Sequence, residues 1–221
     1  MTAELRKRII TSIILFIIAV LCISINQIFF MGLSIVVAII CFVEWGKINK
    51  LNEKKALKSF IIIAPAFIYL FIILQFSTFA LRGESLESVI FFIIILCICI
   101  CSDTGGYIFG KTIGGKKLTK ISPNKTISGS VGSFIFSILP IFLFNFQNYI
   151  DFNFDLSLKN ILFCLVISLS CQIGDLIISY FKRLNKVKDT GSILPGHGGL
   201  LDRIDGIIFA IPTASILKLS Q

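Results

Sequence analysis

The acidic and basic residues of this chain that are able to do chemistry crowd into a few short runs between apolar stretches. The stretch "KDTGSILPGHGGLLDRID", residues 188–205, carries Lys188, three Asp, Arg203, the only His and four Gly. Within it Asp202 and Asp205 stand at i and i+3, one face of a helix. Two like charges so placed repel unless a cation lies between them. Mg2+ suits the pair, because it takes one or two carboxylates together with waters and phosphate oxygens. Arg203, between the acids, has the planar fork that grips phosphate.

A second run, "GDLIISYFKR" (174–183), puts Asp175, Ser179 and Lys182 at i, i+4 and i+7, one stripe of a helix, with Arg183 beside them. A carboxylate near membrane depth is costly and faces a partner, a cavity or an ion. An internal ion pair with Lys182 or Arg183 is the plainer alternative for Asp175. The glycines at 191, 196, 198 and 199 would let backbone N–H groups cradle an anion, with Gly198 and Gly199 nearest the acids. His197 is either a loop residue that hydrogen-bonds locally or a proton donor to a leaving group.

A third run, "SDTGGYIFGKTIGGKKLTKISPNKT" (102–126), opens on Asp103 and ends on a turn expected to present Ser122, Lys125 and Thr126 to a phosphate. Its glycine spacing fits neither the P-loop nor the dinucleotide-binding fingerprint. Cations and hydroxyls beside acidic metal ligands are the requirements of a polyphosphate substrate.

Apolar helices must position these runs. The chain has 221 residues, is 56% hydrophobic and 15% charged, and has a mean hydropathy of +0.94. Soluble domains are about 25% charged, so the fold class is an all-α polytopic membrane protein in one membrane-embedded unit. A span needs about 20 apolar residues, and seven candidates fall near 9–25, 28–43, 60–80, 87–102, 129–147, 160–178 and 204–219, with a range of six to eight. The fourth is expected to stop on Ser102 and Asp103. The start, with Arg6, Lys7 and Arg8 before an apolar run, reads as a retained helix and not a cleaved leader. Residues 1–80 are assigned a structural role, with dimerisation as an option, and 81–221 the chemistry.

Of the 21 Lys and Arg, all but Arg82, Lys159 and Lys218 fall on one side of such a layout. That side is expected to be cytoplasmic. The seven Cys lie within apolar segments and read as small buried hydrophobes. A transporter would need polar groups across the bilayer, whereas these spans are nearly uncharged. The Asp-Gly-x-x-Ala-Arg helix of CDP-alcohol phosphotransferases is absent.

The run 179–205 closely resembles the signature of the phosphatidate cytidylyltransferases: Ser179, Lys182 and Arg183; Lys188, Asp189 and Gly191; Pro195 to Gly199; and Asp202, Arg203 and Asp205. The block 102–126 is similar to the family's second conserved region. Leu176, Ile177 and Ile178 stand where the family often has an aromatic residue and a Glu. The resemblance implies attack of phosphatidate on the α-phosphorus of CTP, Mg2+ dependence, a homodimer, and an active site on the cytoplasmic face of a bacterial-type cell membrane. A relative acting on another lipid phosphate fits the same residues, and the sequence leaves open whether a second, monovalent cation assists. No nucleic-acid partner is implied. Asp175, Asp202 and Asp205 would hold the metal. Lys125, Lys182, Arg183 and Arg203 would clamp phosphates, with Asp103, Ser122, Thr126, Ser179, Lys188, Asp189, His197, Gly198 and Gly199 lining the substrate site.

Overall fold

The computed structural model describes residues 17–49, 56–119, 122, 124–145, 154–194 and 198–219. They are almost wholly helical. Among them the only β pairing is two isolated bridges, Lys117 with Thr126 and Leu194 with Gly198. The helices are α1 (Gln27–Ile48), α2 (Ala56–Ile68), α3 (Leu74–Arg82), α4 (Leu86–Thr112), α5 (Ile127–Ser137), α6 (Leu139–Asn145), α7 (Leu158–Leu184) and α8 (Leu201–Leu219), and residues 17–25 are also helical.

Among the described residues, five segments are long and apolar enough to cross a membrane: Gln27–Ile48, Ile61–Arg82, Leu86–Thr112, Ile127–Phe144 and Leu158–Leu184. Large apolar side chains such as Phe29, Phe76, Ile100 and Leu143 are exposed on them, as a lipid solvent permits. Two of the seven expected spans are missing from that set. The 9–25 stretch begins outside the described residues, and α8 carries Asp202, Arg203 and Asp205 within its first turns.

The chain divides into two compact units. One comprises Met1–Ala80 with Phe181–Ile204, the other Leu81–Tyr180 with Asp205–Gln221.

In the first unit Asn26 starts α1. Its extended backbone (φ −162°, ψ 171°) breaks the preceding helix, and its Oδ1 accepts the Phe29 N–H at 2.9 Å, as an N-cap does. Pro65 lies inside α2, and a π turn, Tyr69–Ile73, joins α2 to α3. Unpaired backbone groups are costly in lipid, and Gln75 answers part of that cost. Its Nε2 donates to the Leu70 and Ser34 carbonyls, each at 3.3 Å, while its Oε1 accepts the Ser34 hydroxyl at 2.6 Å. Trp45 ties α1 to the end of α7: its Nε1 donates to the Ile62 carbonyl, and its ring meets Phe181 edge-on at 4.6 Å.

Helix α7 ends in a Schellman motif. Val187 N–H donates to the Lys182 carbonyl at 2.9 Å and Lys186 N–H to the Arg183 carbonyl at 3.1 Å. Lys186 occupies the left-handed position, φ 56°, that such a motif demands and that glycine fills without strain.

In the second unit α4 runs on to Thr112, past the expected stop at Ser102 and Asp103. Hydropathy ends there, but helix packing does not. A Cβ on Gly105 would overlap the Gly132 carbonyl oxygen, and one on Gly129 would lie 2.9 Å from the Gly106 oxygen. Small residues thus let α4 and α5 meet backbone to backbone. Buried hydroxyls pair across helices: Ser102 with Ser168 at 2.8 Å, and Ser170 with Thr213 at 3.0 Å.

Candidate active site

Among the described residues, each unit holds one lysine–carboxylate pair drawn from the runs singled out in the sequence. In the second unit Lys125 forms an ion pair with Asp175. Ser179, one turn further along α7, donates its hydroxyl to Asp175 Oδ1 at 3.1 Å. The side chains are 26% and 34% exposed, so an incoming anion has access to the ammonium group. Asp175 sits well inside α7 and not at a helix end. Asp103 is close enough to feel both the Asp175 charge and the Lys125 ammonium.

A short antiparallel return presents Lys125. Leu118 N–H donates to the Lys125 carbonyl at 2.8 Å, and Ile127 N–H to the Lys116 carbonyl at 3.0 Å. Lys125 N–H closes a turn on the Ser122 carbonyl at 3.0 Å, as the "SPNKT" pattern predicts. Thr126 does a different job from the one expected of it. It is buried, and its hydroxyl caps α5 by accepting the Gly129 N–H at 3.1 Å.

In the first unit Lys182, in the last turn of α7, donates to Asp202 Oδ1 at 2.8 Å, with the side chains 13% and 9% exposed. Asp202 Oδ2 accepts the Thr190 N–H at 2.8 Å, the Thr190 hydroxyl at 3.0 Å and the Gly199 N–H at 3.3 Å. Asp202 precedes the apolar part of α8. Burial pushes its carboxyl up, but Lys182 and Thr190 outweigh that and hold it below the ordinary aspartate value.

The glycine-rich loop therefore differs from the anion cradle expected of it. The N–H groups of Thr190, Gly199, Leu200 and Leu201 point at the chain's own carboxylates, Asp202 and Glu44. Gly198 has φ 84° and pairs through its carbonyl with the Leu194 N–H. Glu44, in α1, was not legible as a site residue. The only hint is an acid closing an apolar run beside Lys47 and Lys50.

Arg183, Lys188, Asp189 and Arg203 are exposed. Asp205, in the second unit, accepts the Gly206 N–H at 2.9 Å. His197 lies outside the described residues, with Pro195 and Gly196.

Among the described residues, no group of three or more His, Cys, Asp or Glu is arranged to hold a metal ion. Mg2+ does not require one, since phosphate and water oxygens complete its shell. Asp202 Oδ1 accepts one hydrogen bond and keeps a lone pair, and Asp175 divides Ser179 and Lys125 between its two oxygens. Each of these carboxylates, taken by itself, offers hard oxygen donors that fit a divalent cation held jointly with substrate.

Both pairs fall inside the segment 52–220, which matches the model of the cytidylyltransferase family. The chain belongs to this family. Several named relatives of this cytidylyltransferase-family chain are bacterial phosphatidate cytidylyltransferases. That of Staphylococcus haemolyticus is 42% identical over 145 residues, covering 65% of this chain and 53% of the relative. That of Staphylococcus saprophyticus is 45% identical over 138 residues, covering 62% and 50%. That of Staphylococcus aureus strain COL is 42% identical over 142 residues, covering 63% and 52%. The chain thus spans about half the length of the curated relatives it matches.

Proposed function

We propose that this chain transfers the cytidylyl group of CTP to phosphatidate, giving CDP-diacylglycerol and pyrophosphate. A phosphate oxygen of the lipid attacks the α-phosphorus, and the bond from that phosphorus to the bridging oxygen of pyrophosphate breaks. Both reactants are anions that repel each other, so the chemistry rests on positioned cations more than on a base. The nucleophile is already ionised at neutral pH.

The observation that carries this reading is the pair of lysines, Lys125 and Lys182, each fixed by a carboxylate within the matched segment. An ammonium group held by one carboxylate keeps two more N–H donors for phosphate oxygens. Arg183 and Arg203 add bidentate donors. Ser179 orients Asp175, and Thr190 with Gly199 orients Asp202. Mg2+, held by the carboxylate of Asp202 or of Asp175 with phosphate and water oxygens completing its shell, would neutralise charge on the departing pyrophosphate. A bacterial cell membrane, with these residues on its cytoplasmic side and two copies of the chain associated, completes the proposal. The one-sided distribution of Lys and Arg supports that orientation.

The test is conversion of labelled CTP to a chloroform-soluble product by membranes containing the full chain, with phosphatidate and Mg2+. The expected result is product with both present and none without either. A panel of lipid phosphates in which phosphatidate is inert and another is used would overturn the substrate, and failure with every lipid would overturn the reaction.

A further inference from the structure

Glu44 is fully buried, with 0% of its surface exposed, in a helix that precedes the matched segment 52–220. A buried carboxylate is costly unless donors surround it. Here the donors come from the loop before α8 and from the first residue of that helix. Thr190 Oγ1 donates to Glu44 Oε2 at 2.9 Å, Leu201 N–H to the same oxygen at 2.9 Å, and Leu200 N–H to Oε1 at 3.0 Å. The two amides are among those a helix N-terminus leaves without an internal partner.

The loop is also shaped around this side chain. A Cβ on Gly191 would fall 2.6 Å from Glu44 Oε1, and one on Gly199 would overlap the Thr190 hydroxyl and fall 2.6 Å from Glu44 Oε2. The first would displace the carboxylate and the second the hydroxyl that binds it. The glycines at these two positions leave room for Glu44 and Thr190.

The Thr190 hydroxyl links this anchor to Asp202. It lies 2.9 Å from Glu44 Oε2 and 3.0 Å from Asp202 Oδ2, and it has one proton to share between them. Asp202 in turn holds Lys182.

We propose that Glu44 is a positioning residue for the transfer reaction, holding Thr190 and the start of α8 so that Asp202 and Lys182 keep their reactive geometry. A helix cap alone needs one acceptor, whereas here both carboxylate oxygens are used. Glutamine has the same size but only one acceptor oxygen, so its NH2 would face a backbone N–H. Aspartate is one methylene too short to reach.

The inference rests on the cytidylyl-transfer reading for its kinetic test and on proteolysis for an independent one. Glu44→Gln is expected to lower kcat about a hundredfold with KM for CTP changed less than about threefold, the signature of misplaced groups in the transition state. In the purified full chain, trypsin cleavage after the exposed Lys186 and Lys188 is expected to accelerate. Thr190→Val should lower kcat in the same direction and Thr190→Ser recover most of it. That pair keeps the test open even where Glu44→Gln fails to fold. Wild-type kcat and an unchanged cleavage rate in Glu44→Gln would overturn the proposal. So would a loss of activity with unchanged cleavage, or a Thr190→Val enzyme as fast as wild type. A wild-type chain inactive on every lipid phosphate would instead sink the reaction, with cleavage still reporting on Glu44.

Discussion

Lys182 Nζ lies 2.8 Å from Asp202 Oδ1 and joins the last turn of α7 to the first turn of α8. The link shuts the glycine-rich loop between them into a closed ring of chain. Both partners are largely buried, so each depends on the other.

Removing one partner should therefore do more than remove a contact. Lys182→Ala leaves the Asp202 charge to Thr190 and Gly199 alone, and a stability loss of about 3 kcal/mol is expected. Asp202→Asn keeps the shape but leaves the Lys182 ammonium without its charge partner, so turnover should be abolished in a chain that is still inserted, with a stability loss no larger than that of Lys182→Ala. Denaturant titration in detergent and the labelled-CTP assay check the two outcomes. Normal turnover in Asp202→Asn would refute its assignment.

Acid should release the same loop. The folded Asp202 carboxyl titrates below its ordinary value, so the unfolded chain takes up a proton first as pH falls. The stabilisation is complete above about pH 4, the unfolded aspartate value, and disappears as pH drops through the lower folded value. Hydrogen exchange across 188–202, corrected for intrinsic rates, should show constant protection from neutrality to about pH 4 and a fall below it. Protection lost between pH 5 and 6 would contradict this.

Lys125 should separate activity from stability. Its ion pair with Asp175 is about a third exposed on the acid side, and such pairs contribute about 1 kcal/mol or less. Lys125→Ala is expected to leave the melting temperature nearly unchanged while lowering kcat/KM for CTP at least about a hundredfold, as loss of a charge-assisted phosphate contact does. A variant with unaltered kcat/KM would remove Lys125 from the proposed site.

Lys186 is strained by its left-handed backbone, at about 1 kcal/mol for a side chain with a Cβ. Lys186→Gly should raise stability by about that amount, read as a later denaturation midpoint. A destabilised variant would mean that the side chain, and not the backbone, matters there.

The helices and the chemistry-bearing runs were legible in the sequence for different reasons. Hydropathy marked the spans, and the spacing of Asp175, Ser179 and Lys182 marked one face of α7. Apolarity does not mark the end of α4, because Gly105 and Gly129 carry that helix onward by backbone packing. Thr126 looked like a ligand because a hydroxyl at a turn and a hydroxyl at a helix cap are spelled alike. Glu44 was out of reach for another reason. Its partner Thr190 is 146 positions away, and nothing local in "CFVEWGKINK" says that the acid is buried.

Glu44 also bears on how the chain can be cut. It precedes residue 52, where the family match begins. A minimal fragment trimmed to that boundary would retain both lysine–aspartate pairs and lose the group that seats Thr190, Leu200 and Leu201. Such a fragment would have every reactive side chain and a slack hinge beneath one of them.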